Sequence, residues 1–484
     1  MRHRRANSAG SSPHNPRDHR GPRAADYRTG WKRDKINVPE VRDGAGVLIL
    51  LGATAITRIP PAPIRTDQLG FDPERRSCQE LAAMPSGTST GNTGPMRGSL
   101  VAAGSTGIPL MRLLEKHGFP MSAVGPGFTE AFAEAGFDYH RYPLRRALNP
   151  LADYRAGKAL EQLFLEHRPD LVHCVNTKPT LLVPPIARRT GVSGCVRTIT
   201  GLGALFSSSS PLALSLRLVY RQLQRKAERD CDFTAFQNPN DRDYFRRHRM
   251  SFSERDAVVL GSGIDVEAVR ARRSSPAVQS DLRRELQLDG RAPVVMMTTR
   301  LIRPKGVGEF LEAATAVRRI RPDITFLLVG PGKVREGPAI FPVEQVQRCP
   351  DVRYLGWRDD VADLMAISDL LVLPSYFREG IPRVLLEGAA LSLPLITTDM
   401  PGCREVVTDG VNGLLVPARN GPRLGTAILE LLDDPDRCRD MGRASRALVE
   451  ERFHLEMVAA SYAEIYHRVL GTAKPAEVDL RHAA

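Results

Sequence analysis

The segment between two apolar runs, 370–373 and 395–398, contains two carboxylates eight positions apart, Glu379 and Glu387. Pro382 suits the first turn of a helix, because the N–H group that proline lacks would have no partner there. The sequence therefore predicts Glu379 on the loop before a helix and Glu387 inside that helix. The free N–H groups of a helix N-terminus can hold a phosphate, and carboxylates can bind sugar and ribose hydroxyls. The segment suits a sugar nucleotide; the plainer interpretation is two solvated helix charges.

Two cations, Arg300 and Lys305, lie on a second loop, between a strand predicted at 294–299 and an amphipathic helix predicted at 308–320. Arginine offers a planar fork of donors and lysine a point charge, so together they can clamp a diphosphate. The plainer interpretation is a pair of surface cations on a turn.

Strand and helix patterns alternate along the second half of the chain. Continuous apolar runs of this kind predict strands that helices cover on both faces. The alternation predicts a doubly wound parallel sheet, which binds ligands at the carboxyl ends of its strands. Arg300, Lys305 and Glu379 fall at such ends, as does the tight turn from Gly330 to Gly332. The predicted strands are 294–299, 324–329, 352–355, 370–373, 395–398 and 413–416.

The first half of the chain shows the same kind of pattern, with predicted helices such as 109–117 and 156–167 between apolar runs. Two consecutive α/β units of this size predict two Rossmann-like domains, each with a doubly wound sheet. The predicted strands of the first domain are 99–104, 122–125, 170–175, 194–200, 231–237 and 257–261.

Taken together, several of these segments resemble the signature of GT-B retaining glycosyltransferases of family 4. The similarity lies in the two glutamates, the loop Arg300–Gly306, the turn Gly330–Gly332, and the later segments Pro401–Val407 and Asn412–Pro417. The resemblance implies a GT-B architecture, in which the two Rossmann-like domains face a central cleft. It also implies an enzyme that moves a hexose or N-acetylhexosamine from a UDP-sugar with retention at the anomeric carbon. No metal is expected, since the adjacent pair Asp359–Asp360 lacks the spacing of a metal-dependent Asp-x-Asp site.

The resemblance also implies roles for individual residues. Arg300 and Lys305 would hold the donor diphosphate and stabilise it as it departs. Glu379 would orient the sugar hydroxyls, Glu387 would contact the ribose, and backbone groups near 359–361 would lie beside the base. No enzymic nucleophile is evident, so front-face attack guided by the leaving group is expected. The other donor-side positions are Gly330, Gly332, Gly380, Ile381, Pro382 and Val384.

The first domain carries segments that resemble one branch of this family, which builds bacterial capsule, O-antigen and related glycans on polyprenyl-diphosphate-linked acceptors. These segments are His173–Pro179, Thr198–Gly203 and Phe236–Asp241. The resemblance places His173 at the cleft end of a strand as a catalytic residue. The alternative is a hydrogen-bonded structural histidine, and Val175 stands where many members carry a second histidine. The acceptor-side positions are Lys178, Thr200, Gly201, Gly203 and Asn238.

The stretch from Pro211 to Arg229 sets leucines among arginines and a lysine at helical spacing. A basic amphipathic helix suits an anionic membrane surface or the head group of a lipid diphosphate; an ordinary domain helix with a solvated face is the alternative. The expected location is the cytoplasm, peripheral at the inner face of the plasma membrane. The expected partners are a UDP-sugar donor and a glycan or lipid-linked acceptor.

The chain is predicted to divide into six parts. The Arg-, Pro-, Gly- and Ser-rich first part shows no sustained periodicity and is expected to be disordered, with Met84 or Met96 as a candidate for the true start. The resemblance implies that the last helix packs back on the first domain. The parts are a basic extension (1–95), an acceptor-binding domain (96–265), a crossover (266–290), a nucleotide-sugar-binding domain (291–450), a C-terminal helix (451–472) and a tail (473–484).

Composition limits the alternatives. With 484 residues and 42% hydrophobic content, the chain can bury two full cores. Its longest apolar candidate for a membrane span, 46–56, is shorter than the roughly 20 residues that cross a bilayer. Seven cysteines without a C-x-x-C pair argue against a zinc site or a disulfide framework and for a reducing cytoplasm. No cofactor is expected beyond the nucleotide-sugar co-substrate.

Three other functions remain open from the sequence. A GT-B-fold UDP-sugar epimerase would share the scaffold. The net charge of +13 could indicate a nucleic-acid-binding protein, but the chain lacks an aromatic or helix-turn-helix signature, so no nucleic acid is expected as a partner. A non-catalytic binding subunit is disfavoured because Arg300, Lys305, Glu379 and Glu387 are all present.

Overall fold

The computed structural model describes residues 47–51, 107–127, 130–145, 149–261, 263–288, 292–332 and 339–472. These residues form two sheets in which neighbouring strands pair in parallel. Parallel sheets bury both faces under helices, which is why their strands are continuous apolar runs in the sequence.

The first sheet has seven strands in the order β3-β2-β1-β4-β5-β6-β7. The strands are β1 (Val47–Leu51), β2 (Met121–Gly125), β3 (Tyr139–Arg141), β4 (Leu171–Val175), β5 (Gly194–Ile199), β6 (Phe233–Phe236) and β7 (Asp256–Val258). The helices among them are α1 (Ile108–Lys116), α2 (Glu130–Glu134), α3 (Pro150–His167), α4 (Pro179–Thr190), α5 (Ala204–Ser207), α6 (Pro211–Arg229) and α7 (Pro239–Arg247), with a 3₁₀ turn at Ser253–Arg255.

The second sheet has six strands in the order β10-β9-β8-β11-β12-β13. The strands are β8 (Val294–Thr298), β9 (Thr325–Val329), β10 (Val352–Gly356), β11 (Leu370–Leu373), β12 (Leu395–Thr398) and β13 (Gly413–Val416). The helices are α8 (Val266–Ala271), α9 (Pro276–Glu285), α10 (Val307–Ile320), α11 (Val343–Gln347), α12 (Val361–Ala366), α13 (Arg383–Ala390), α14 (Gly421–Leu432), α15 (Pro435–Arg452) and α16 (Leu455–Leu470), with a 3₁₀ turn at Arg303–Lys305.

The strands at the centre of the second sheet are wholly buried. Every residue of β9, β11 and β12 is inaccessible to solvent or nearly so. Helix α10 packs Phe310 against Phe326 of β9, with ring centroids 5.7 Å apart in an edge-to-face arrangement. This rigid core fixes the carboxyl ends of the strands, from which the loops of the candidate site emerge.

The first strand differs from the sequence-based expectation. Residues 1–95 were expected to be disordered, but Val47–Leu51 form β1, between β2 and β4 and parallel to both. The prediction is wrong at these five residues, because a short apolar run that cannot span a membrane still fits the interior strand of a parallel sheet. The strand predicted at 99–104, the rest of 1–95 and the tail at 473–484 lie outside the described residues.

The crossover predicted at 266–290 also contains regular structure. Helices α8 and α9 lie there, and Val266, Val269 and Leu282 are buried in the core of the second sheet. Their Arg- and Ser-rich sequence had favoured a linker, but its few apolar residues recur at helical spacing and face that core.

The chain leaves the first domain near Ile264 and returns to it near Leu455, and these two segments lie side by side. The Ile264 N–H donates to the carbonyl of Phe453 (2.8 Å), and the Leu455 N–H donates to the carbonyl of Ile264 (3.1 Å). Helix α16 then packs on α1, and Tyr466 is buried in the first domain's core. Within the described part of the chain, no helix is long and apolar enough to cross a membrane.

Candidate functional site

The candidate site lies where the strand order of the second sheet reverses. Strands β9 and β10 lie on one side of β8, and β11, β12 and β13 follow on the other. The loops after β8 and β11 therefore leave the sheet in opposite directions and open a crevice, where doubly wound sheets bind their ligands. Arg300 and Lys305 lie on the first of these loops and Glu379 on the second, as predicted.

Lys305 and Glu379 form an ion pair across this crevice. The Lys305 Nζ donates to Glu379 Oε2 at 2.7 Å, and the two side chains are 11% and 13% exposed. The Ser375 hydroxyl donates to the other carboxylate oxygen, Oε1, at 2.9 Å. Both oxygens of Glu379 are thus engaged, and charge-assisted bonds of this length hold a carboxylate in a defined orientation. Ser375 was not selected from the sequence, although it lies four positions before the glutamate.

Backbone contacts bring the two loops together. The Tyr376 N–H donates to the Pro304 carbonyl at 2.8 Å. Gly306 adopts φ +82°, and a Cβ there would lie 2.1 Å from the carbonyl oxygen of Pro374. Only glycine fits this position, both for the left-handed backbone and for the space. The close approach places Lys305 within reach of the carboxylate.

Arg300 is half-buried on the same loop as Lys305. Its carbonyl accepts the Ile302 N–H at 2.7 Å, which makes a tight turn directly after the strand. Within the described residues, its guanidinium has no hydrogen bond or ion pair, so all five of its donors remain for an anion. An arginine and a lysine on one loop at a switch point suit a diphosphate.

Glu387 lies inside α13, as predicted. Its Oε1 accepts a hydrogen bond from the Arg383 Nε at 2.9 Å, one helical turn away, and both side chains are partly exposed. The helix begins at Arg383 with Pro382 as its N-cap, one residue later than the sequence suggested. The first N–H groups of α13 have no partner within the helix, as at any helix start. Ile381 and Val384 pack against the second core.

At both candidate glycines after β9, Gly330 and Gly332, a side chain would collide with neighbouring atoms. Gly330 adopts φ +148°, and a Cβ there would lie 1.8 Å from the carbonyl oxygen of Thr299. At Gly332 a Cβ would lie 2.7 Å from the hydroxyl of Tyr354, which donates to the Gly330 carbonyl at 2.9 Å. The turn therefore lies against the end of β8, beside Arg300. The adjoining residues 333–338 are outside the described part of the chain.

His173 is not at the cleft end of its strand. It is the third of five residues in β4 and is fully buried. Its Nδ1 shares a hydrogen bond with the Tyr466 hydroxyl (2.7 Å), and its Nε2 shares one with Thr198 Oγ1 (2.6 Å). Burial lowers the pKa of His173 to about 3, so the ring is neutral and both nitrogens are occupied. The prediction that it stands beside the reacting sugar is wrong, because α16 returns to cover it.

Lys178 and Thr200 lie near the carboxyl edge of the first sheet. The Lys178 Nζ donates to Asp153 Oδ1 at 2.6 Å, at the start of α4. The Thr200 hydroxyl donates to Asn176 Oδ1 at 3.0 Å. Asn176 adopts φ +75°, and its buried Nδ2 has no hydrogen-bond partner among the described residues. Asn176 was not selected from the sequence, although it lies in the segment that contains Lys178.

The other acceptor-side candidates contact the second domain. The Gly203 N–H donates to the Arg378 carbonyl (2.9 Å), and a Cβ at Gly201 would lie 2.5 Å from the Gly380 nitrogen. The buried Asn238 caps α7, and its Nδ2 donates to the Glu379 carbonyl at 3.2 Å. The glycines were expected to admit a ligand to the backbone. The group that approaches them in this structure is the loop that carries Glu379.

Helix α6 is amphipathic, but much of its positive charge serves the domain itself. Arg217 donates to two carbonyls before the helix, Arg221 to the Tyr244 hydroxyl, and Arg225 to the His248 carbonyl. Its exposed surface is instead rich in aliphatic side chains: Leu212, Leu214, Leu218, Val219 and Leu223.

Comparison with known proteins agrees with this geometry. Residues 109–263 match the family described as glycosyl transferase 4-like domain, and residues 292–434 match the family described as glycosyl transferases group 1. The chain belongs to the family 4 glycosyltransferases. The two matched ranges lie in the first and second domains, with the crossing segment between them.

Curated relatives and solved structures are similar over most of their length. A Campylobacter jejuni N,N'-diacetylbacillosaminyl-diphospho-undecaprenol α-1,3-N-acetylgalactosaminyltransferase is 26% identical over 71% of this chain and 89% of its own length. A Corynebacterium glutamicum GDP-mannose-dependent phosphatidylinositol monomannoside mannosyltransferase is 27% identical over 63% and 78%. The structure of Anabaena HepE with UDP and glucose has a TM-score of 0.62, with 18% identity over 77% of this chain and 98% of that one. The predicted GT-B fold class is confirmed.

Proposed function

We propose that this glycosyltransferase moves a hexose or N-acetylhexosamine from a UDP-sugar to a glycan on a lipid diphosphate carrier, in cell-surface polysaccharide biosynthesis. The transfer retains the anomeric configuration and requires no metal ion. One observation carries the proposal: Lys305 and Glu379 are paired at 2.7 Å where the strand order reverses, on the same loops as Arg300, which has no partner among the described residues. A pair of cations and an oriented carboxylate are the groups that a sugar diphosphate requires.

The cations act on the leaving group. As the bond between the anomeric carbon and the diphosphate oxygen breaks, its electron pair stays on that oxygen, and Arg300 and Lys305 stabilise the developing charge. The acceptor hydroxyl attacks from the same face, and its proton passes to the departing oxygen. Glu379 holds the sugar hydroxyls meanwhile, and Lys305 links this carboxylate to the diphosphate.

The nucleotide lies along the start of α13. Glu387 binds the ribose hydroxyls, in competition with Arg383 for its Oε1. The N–H groups at the start of α13 add donors for the phosphates. HepE, which shares the fold, was solved with UDP, and this favours a UDP-sugar as the donor. Because one relative depends on GDP-mannose, the test below includes donors with both nucleobases.

The acceptor approaches from the first domain. The Campylobacter relative acts on a sugar linked to diphospho-undecaprenol, and Lys178 provides a cation at the edge of the first sheet. We place the exposed aliphatic side chains of α6 against the inner membrane, and the exposed Lys226 and Arg229 of the same helix suit its anionic head groups. Sedimentation with phosphatidylglycerol vesicles tests this contact: replacing both Leu212 and Leu218 by Ser should weaken it, and unchanged binding would contradict it.

The reaction is tested with the full-length enzyme, a panel of UDP-sugars together with GDP-mannose, and polyprenyl-diphosphate-linked acceptors extracted from membranes. We expect one UDP-sugar to extend the acceptor by one residue, as weighed by mass spectrometry, with an α-to-α or β-to-β outcome by NMR. Transfer only from GDP-mannose would contradict the choice of donor. Formation of an epimer from the UDP-sugar alone would instead indicate an epimerase, and an inverted product would contradict the stereochemistry.

A further inference from the structure

The loop that carries Glu379 is held by an ion pair with a buried carboxylate of the first domain. Arg378 Nη2 donates to Asp241 Oδ1 at 2.8 Å; Asp241 is fully buried, and the Arg378 side chain is 24% exposed. Asp241 lies in the first turn of α7, where its charge is favourable near the helix N-terminus. Asn238 fixes its orientation, because the Asn238 Nδ2 donates to Asp241 Oδ2 at 3.0 Å.

The main chain on both sides of Glu379 is bonded to the same domain. The Arg378 N–H donates to Ser207 Oγ at 3.0 Å, and the Gly380 N–H donates to the Thr200 carbonyl at 3.0 Å. The Glu379 carbonyl itself accepts from Asn238. Three consecutive residues, 378–380, therefore each form a backbone hydrogen bond with the first domain.

Sterics show how closely the two domains meet here. A Cβ at Gly380 would lie 1.9 Å from Gln237 Oε1, and one at Gly402 would lie 2.2 Å from the Gly380 carbonyl. The segment is therefore enclosed by the first domain on one side and by its own domain on the other. The carboxylate of Glu379, by contrast, finds its partners among the described residues in the second domain, at Lys305 and Ser375.

We propose that Asp241 is a positioning residue for sugar transfer: by binding Arg378 it fixes the main chain of Glu379, so that this carboxylate meets the donor sugar correctly only while the first domain is docked on the second. In this proposal Asp241 and Arg378 act through the main chain of Glu379 and not on the sugar itself. The acceptor domain therefore completes the donor-sugar site, and docking of the two domains is coupled to sugar recognition. This inference rests on the proposed role of Glu379.

The test compares Asp241→Asn with a matched control. Asp256→Asn removes another buried charge that pairs with an arginine of α7, Arg246, but this pair lies wholly within the first domain. We expect Asp241→Asn to lower kcat about tenfold or more and to reduce discrimination between donor sugars that differ at one hydroxyl. Calorimetric affinity for free UDP, which has no sugar, should change by less than about twofold. Asp256→Asn should lower the melting temperature and leave kcat and sugar discrimination unchanged.

Arg378→Gln probes the same pair from the second domain and should give the same kinetic result. The double variant should lose no more activity than either single variant, because both break one interaction. Unchanged kcat and discrimination in folded Asp241→Asn or Arg378→Gln would overturn the inference, as would equal losses in free UDP affinity. If neither variant folds, the pair is structural and the inference is wrong. If Glu379→Gln is itself without effect on transfer, the proposed function fails instead.

Discussion

The two sheets carry residues of catalytic type in different surroundings. At the second sheet, Lys305 and Glu379 meet in a partly open crevice beside Arg300, which has no partner among the described residues. At the first sheet, His173 is enclosed, and hydroxyls of Tyr466 and Thr198 bond both ring nitrogens. The comparison teaches that residue type alone does not make a catalytic group. We expect a catalytic group to keep unused bonding capacity, and among the described residues of this site Arg300 keeps it.

The largest effect that this comparison predicts is at Arg300. Arg300→Ala should lower kcat by about 10²–10³, because removing one preorganised charge at a developing anion has a cost of that order. Lys305→Ala should have a similar effect, since it also frees the Glu379 carboxylate. Steady-state kinetics with a saturating UDP-sugar measures both.

Arg303→Ala is the matched control for these variants. Arg303 lies on the same loop but is exposed, and its guanidinium rests over the Phe341 ring at 5.6 Å. We expect its loss to change kcat less than about threefold, the range of an incidental surface change rather than a lost transition-state contact. Equal losses at Arg300 and Arg303, or less than a fivefold loss at both Arg300 and Lys305, would reject the diphosphate clamp.

A smaller effect, on stability rather than rate, is expected at His173. His173→Gln should leave kcat within about threefold of the wild type and reduce the free energy of unfolding by about 1–3 kcal/mol, because buried hydroxyls lose their partner. Chemical denaturation and kinetics on the same preparation separate the two outcomes. A hundredfold loss of kcat without a change in stability would instead indicate that His173 is catalytic.

The same histidine predicts a pH dependence of stability. Burial holds its pKa at about 3, below the value of 6.5 for an exposed histidine, so between these values the unfolded chain binds a proton that the folded protein excludes. The neutral, buried histidine makes its full contribution to the free energy of unfolding above pH 6.5. That contribution is lost as the pH falls towards 3, by at most about 1.4 kcal/mol per pH unit. The wild type should therefore lose stability faster than His173→Gln over this range. Parallel pH curves would contradict the buried, neutral state.

The smallest effect is expected on removing metal ions. EDTA should leave the rate within about twofold, because in the proposed mechanism Arg300 and Lys305 supply the charge that stabilises the diphosphate. The comparison is made with enzyme dialysed against EDTA and with the same enzyme supplied with Mn²⁺ or Mg²⁺. Abolition by EDTA with recovery on adding Mn²⁺ would overturn the mechanistic class.

Much of the second domain could be predicted from the sequence because its signals are local. The apolar runs at 324–329, 370–373 and 395–398 differ from β9, β11 and β12 by at most one residue. Glu379 and Glu387 lie before and within α13 as expected, since a proline and a glycine mark the helix start. A buried parallel strand shows itself in a single run of residues, and so does the loop that follows it.

The features that could not be predicted depend on distant parts of the chain. Tyr466, which binds His173, lies 293 positions away, and nothing near His173 indicates it. The close approach of Gly201 to Gly380 joins two domains, so a ligand seemed the natural reason for the glycine. The strand β1 lies far from any other regular pattern in the sequence, and only its pairing with β2 and β4 defines it.

The central claim is that the two glutamates of the second domain bind different parts of one donor. Steady-state kinetics of Glu379→Gln and Glu387→Gln with two donor sugars, combined with calorimetry of free UDP, tests it most directly. Glu379→Gln should lower kcat and alter discrimination between sugars, because its contacts strengthen as the anomeric centre flattens, and should leave UDP affinity intact. Glu387→Gln should raise KM for both donors and weaken the binding of free UDP. An equal loss of affinity for free UDP in both variants would contradict the account.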